Sequence, residues 1–132
     1  MKIQTNIITT KVKNCITNYP KKINYTWQHK KAFLKTEKEL YGKNSFRAYF
    51  HDLDKLLMYI IGIPKHIAHN IHVATAPHHI QNGKVKCPKM AVIDWECARF
   101  TKKDKPLTAR EFYEQKCPKM PEIEEELKKA GL

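Results

Sequence analysis

The chain has 132 residues, 42% of them hydrophobic, which is enough for one domain with a real core. No apolar run reaches the length of a membrane span, and the opening MKIQTNIITT lacks the apolar segment of a secretory signal, so the reading excludes a membrane partner and expects a cytoplasmic protein. Lys and Arg number 25 against 13 Asp and Glu, a net charge of +12 that attracts phosphate on a nucleotide or a nucleic acid. The charge is mostly lysine spread along the chain, so nucleic acid is a compatible partner that no basic–aromatic motif specifically signals.

Residues 1–23 mix β-branched and basic residues and read as a short basic N-terminal arm with at most one short strand. From there the pattern turns helical. Tyr25, His29, Ala32, Phe33, Thr36 and Leu40 recur at helical spacing until Gly42 stops the helix. A second helix is expected from Ser45 to Ile61, ending at Gly62, and a third from Pro64 to Ala74. Residues 75–87 form a loop containing Pro77, His78, His79 and Gly83. A fourth helix follows from Pro88 to Phe100. After a polar loop, Thr108 and Glu111 form a capping-box pattern at the start of another helix, and Pro121 opens the last. The class is all-α, a compact bundle of five to six helices over residues 24–132. Four scattered cysteines with no Cys-x-x-Cys pair suggest reduced thiols rather than a disulfide framework.

The chemistry concentrates in the histidines, six of whose seven lie between residues 51 and 79. At about 100° per residue, His51, Asp52 and Lys55 share one arc of the second helix, opposite an apolar stripe of Leu53, Leu56, Leu57, Ile60 and Ile61. Asp54 points to the flank of that arc and is the weaker candidate. His29 lies within the apolar stripe of its helix, and Asp94 lies at the edge of the arc of Met90, Ile93, Cys97 and Phe100. Groups so placed need polar partners. His72 and the pair His78-His79 span a helix end and its loop, and His66 and His69 share the helix of His72 as rivals to it. Singly, these features read as a solvated face, a hydrogen-bonded core histidine, a buried ion pair and a surface loop. Together they form a histidine–carboxylate set of the kind that holds a divalent transition metal, and a phosphoester is the natural substrate.

The order His29, His51-Asp52, Asp94 resembles the HD-domain superfamily of metal-dependent phosphohydrolases. The His-Asp-x-x-Lys form, with HDLDKLLMYIIG, the TAPHHIQNG loop and MAVIDWECARFTKKDKPLTAREF, is similar to a small family of HD-like proteins over residues 27–116. The resemblance implies an HD-like bundle with metal ligands His29, His51, Asp52 and Asp94. It implies His72, His78 and His79 as ligands of a second ion or contacts to phosphate, and Lys55 as a phosphate-directed cation. The catalytic set is then Asp52, Lys55, His78 and His79. One or two ions (Mn, Fe, Zn, Ni or Co, with Mg compatible) would make hydroxide available near neutral pH to attack a phosphate ester, a nucleotide or cyclic nucleotide above all. The chain lacks the Gly-Tyr-Pro signature of the cyclic-dinucleotide branch. A di-iron oxygenase on the same ligands and a non-catalytic, metal-stabilised binding protein for nucleic acid or a signalling nucleotide stay open, as does the oligomeric state.

Overall fold

The structure, a computed structural model, describes residues 2–102, 104 and 106–132, with side chains from Pro20 onward. The chain runs through helices α1 (Lys2–Tyr41), α2 (Phe46–Phe50), α3 (Leu53–Ile60), α4 (Lys65–Thr75), α5 (Pro88–Thr101), α6 (Ala109–Lys116) and α7 (Pro121–Lys129). Among the described residues there is no strand, only the isolated bridge Gln81–Lys84. No helix of the described residues is long and apolar enough to cross a membrane. The backbone of most of the expected arm, strand included, is instead the first half of α1, which carries Pro20 inside it.

Helix α5 is the axis of the bundle because it is apolar around most of its circumference. One face, Ala91, Val92 and Trp95, packs with Tyr113 of α6 and with Ile123 and Leu127 of α7. The other, Met90, Ile93 and Cys97, packs with Phe33 of α1 and Ala48 of α2. Burying the larger of these, such as Val92, Ile93, Phe33, Ile123 and Leu127, stabilises the fold by about 1.5–3 kcal/mol each. Phe100, expected to continue that arc, is exposed.

Buried carboxylates tie the elements together. Glu37 of α1 accepts from the Ser45 backbone N–H and pairs with Lys89 Nζ of α5 at 3.3 Å. Glu96 of α5 accepts from Ala109 N at 2.8 Å and pairs with Arg99. The Thr108–Glu111 capping box forms as the spacing predicts.

The second helix departs from the sequence pattern. It breaks at His51-Asp52 into α2 and α3, with Asp52 in the left-handed region at φ 57°. Aspartate tolerates that conformation better than most side chains. The break resets the helical phase, so α3 buries Leu56, Met58 and Tyr59 and exposes Leu57, Ile60 and Ile61, three of the five residues of the expected stripe.

Candidate metal centre

Five segments meet at the break. His29 comes from α1, His51 and Asp52 from the α2–α3 junction, and His72 from α4. His78 and His79 come from the loop after α4, and Asp94 from α5. His29, His51, Asp52, His72 and His78 are buried, and Asp94 and His79 are half-buried.

The carboxylates sit among the imidazoles. Asp94 Oδ1 is 2.8 Å from His29 Nε2 and 3.1 Å from His51 Nε2. Asp52 Oδ1 is 3.0 Å from His72 Nε2, 3.5 Å from His51 Nε2 and 3.6 Å from His78 Nε2. Asp52 Oδ2 is 3.8 Å from His29 Nε2. His51 lies flat on Phe33, with ring centroids 3.8 Å apart, which fixes its plane.

The donors fall into two separate groups whose ligand atoms lie within 4.8 Å of one another, His29–His51–Asp94 and His72–His78–His79. A third group, His51–Asp52–His78, overlaps both, so Asp52 stands at the junction. Both nitrogens of His51, Asp52 Oδ1, His72 Nε2 and His78 Nδ1 are buried without a hydrogen bond. Clustered buried polar atoms left unsatisfied are costly, and a bound cation is one standard way to satisfy them.

Burial would raise the Asp52 carboxyl, but His72 and His51 beside it outweigh burial and hold it below the usual range. Asp94 is likewise raised by burial and lowered further by His29 and His51, and ends well below the usual range. Burial lowers His78 to about 3 and lowers His79 as well, which keeps both imidazoles neutral and able to donate a lone pair. For His72, burial is outweighed by Asp52 and Asp54, and its value rises.

Sequence reasoning missed three supporting contacts. Asp54, set aside as flanking, receives His72 Nδ1 at 2.9 Å and 3.1 Å on its two oxygens. With the proton on Nδ1, the His72 Nε2 lone pair faces the cluster, the arrangement in which a carboxylate orients a metal-binding histidine. Lys30 of α1, almost fully buried, donates to the carbonyls of Tyr49 and His51 (3.2 Å for the latter), which holds the end of α2 at the break. Gln81 donates to the carbonyls of Val73, Ala74 and Ala76 at the end of α4. Beside it Asn82 and Gly83, both at positive φ, turn the loop that presents His78 and His79. The Asn-Gly pair was a readable turn signal, whereas Lys30 and Asp54 carried no local one.

His66 and His69 are exposed, which leaves His72 as the histidine of α4 that enters the cluster. Lys55 is half-buried and lines neither cleft, though its charge helps to lower His69 and His79. Cys97 lies beneath the cluster, its Sγ 3.8 Å from His29 Nδ1, and burial and Asp94 raise its thiol well above the usual range. Cys87, Cys97 and Cys117 are free thiols, and the Cys15 side chain lies outside the described residues.

A cleft of ≈ 450 Å³ opens over His51, Asp52, His72 and His78, walled by Phe46, Phe50 and Met90. A second, of ≈ 340 Å³, is lined by His79 and Asp94. Fold and site define an all-α protein with buried histidine–carboxylate groups able to hold a metal ion. The chain matches no family model, no curated protein and no solved structure, so the class rests on geometry.

Proposed function

We propose that the protein is an HD-like metal-dependent phosphohydrolase whose centre holds two divalent transition-metal ions. The observation that carries this reading is the pair of separate donor groups, His29–His51–Asp94 and His72–His78–His79, joined through Asp52. Neutral imidazoles with carboxylates suit first-row transition metals, and a paired site suits displacement at phosphorus, where both attacking and leaving oxygens carry charge. Ions bound there supply Lewis acidity and a hydroxide nucleophile near neutral pH.

The protein's own groups do the rest. Phe33 and Asp54 hold the rings of His51 and His72 in place. Asp52, lowered below the usual carboxylate range, stays ionised and bridges the donor groups. Lys55, whose charge is felt at His79, would supply positive charge toward the phosphoryl oxygens. His78 and His79, kept neutral by burial, would offer their lone pairs to the second ion.

The test is elemental analysis of protein purified without chelator, followed by a panel of phosphomonoesters and phosphodiesters assayed with the metal found. Metal content should approach about two ions per chain. Asp52→Ala should lose most of the metal and all turnover while circular dichroism stays helical. Wild-type turnover in Asp52→Ala would refute the mechanism. Iron content with oxygen consumption and no ester hydrolysis would instead favour the oxygenase.

A further inference from the structure

The two clefts reach the same centre with opposite chemistry. The first exposes Asp52, His51, His72 and His78 between Phe46, Phe50 and Met90. Phe46 is 79% exposed and leans on Phe50, centroids 4.9 Å apart, so the pair forms an open aromatic wall. Its one cation, Arg47, shares the lining with the carboxylate of Asp54, which leaves that mouth without a clear excess of positive charge. The second cleft approaches through His79 and Asp94 and carries two ammonium groups, Lys102 and Lys116, against a wall that includes Trp95 and Phe112. Among the described residues its one carboxylate, Asp94, is already paired with His29 and His51. No described residue lines both clefts, and His51 of the first lies 3.1 Å from Asp94 of the second, so both adjoin the same cluster. Each volume falls within the range of about 300–1,000 Å³ usual for small-molecule sites.

A phosphomonoester has one substituent, and with its phosphoryl group at the centre it fills one cleft and leaves the other bare. A diester with two uncharged arms places an uncharged group between the two lysines. The complementary molecule has a ring-bearing, uncharged group on one side of the scissile phosphorus and further phosphate on the other. Building on the phosphohydrolase reading, we propose that the substrate is a nucleoside polyphosphate, bound with its nucleoside against Phe46 and Phe50 and its outer phosphates at Lys102 and Lys116, and cleaved at the inner phosphorus. The oxygen of water bonds to that phosphorus. The bond to the bridging oxygen breaks, and its electron pair leaves with the outer phosphates. The protons of the water pass to that fragment and to solvent, and the products are a nucleoside monophosphate and inorganic phosphate or pyrophosphate.

The experiment uses full-length, metal-loaded protein with three compounds: a nucleoside triphosphate, the corresponding monophosphate and bis(p-nitrophenyl) phosphate. In heavy-oxygen water, the label from triphosphate should appear in the monophosphate product, and the monophosphate itself should be a poor substrate. The double variant Lys102→Ala/Lys116→Ala should raise KM for triphosphate by about tenfold or more and change that for bis(p-nitrophenyl) phosphate by less than about twofold, since only the former has charge to lose there. Phe46→Ala/Phe50→Ala should raise KM for both. Label in the pyrophosphate, preference for the monophosphate, or equal effects of the lysine variant on both esters would overturn the substrate assignment while leaving hydrolysis intact. No hydrolysis of any compound would overturn the hydrolase reading itself. Binding of a non-hydrolysable α,β-methylene triphosphate then tests the two clefts separately: both double variants must weaken it, and wild-type affinity in either overturns the assignment.

Discussion

Asp54→Ala isolates how the centre is supported, because Asp54 touches the cluster only through His72. The bond it removes is the pair of contacts from His72 Nδ1 at 2.9 Å and 3.1 Å. Without it the imidazole can turn or carry its proton on Nε2, and either change takes the lone pair away from the cluster. Loss of such a carboxylate lowers metal affinity by about 10–100-fold, or about 1.4–2.7 kcal/mol. Asp54 is 45% exposed, so solvent screens part of its charge, and the expected loss is at the lower end, about tenfold. Asp54 also lies in the first turn of α3, where a carboxylate adds about 0.3–1 kcal/mol to stability whether or not metal is bound. Chelator-competition titration of metal affinity, beside denaturation of the metal-free protein, separates the two effects. Asp54→Asn, which keeps an acceptor oxygen without the charge, should fall between wild type and alanine. If Asp54→Ala binds metal within about twofold of wild type while His72→Ala loses it, the carboxylate does not orient the histidine and the reasoning fails.

The same geometry sets four further outcomes. His72 is raised above its usual value, so a proton must leave it when metal binds, and metal affinity should climb with pH until that raised value is passed; a pH-independent affinity would contradict this. In the metal-free protein the stability from His72 is complete below its unfolded value near 6.5 and is lost as pH rises through the folded one. That from His78 is present above 6.5 and lost as pH falls toward about 3, so the decline of melting temperature between those values should be shallower in His78→Ala. Lys30→Met leaves the Tyr49 and His51 carbonyls without their donor and should cost about 1–3 kcal/mol in denaturant unfolding and weaken metal binding; unchanged values in both would remove Lys30 from the account. Lys55→Ala should lower turnover and spare metal content, and loss of metal in it would instead give Lys55 a structural role.

The sequence by itself determined the helical class, the stops at Gly42 and Gly62, the Thr108–Glu111 cap, and the residue types and order of the cluster. These are local: helical periodicity, a glycine at positive φ and a capping pair act over a few residues. His29 and Asp94 could be singled out because a polar group on an apolar helix face needs a partner, although the identity of that partner could not be read. Tertiary structure decided the rest. A continuous helix through His51 and Asp52 fits the periodicity, and the chain breaks there because Lys30, from a different helix, holds the carbonyls at the end of α2 and because Asp52 accepts a left-handed backbone. That break takes Leu57, Ile60 and Ile61 out of the core, and α3, restarted in a new phase, carries Asp54 onto His72. The spacing between residues 54 and 72 carries no periodic signal, so a contact of that range exists only once α3 and α4 pack. The two clefts are likewise products of packing, since their walls come from segments far apart in the chain.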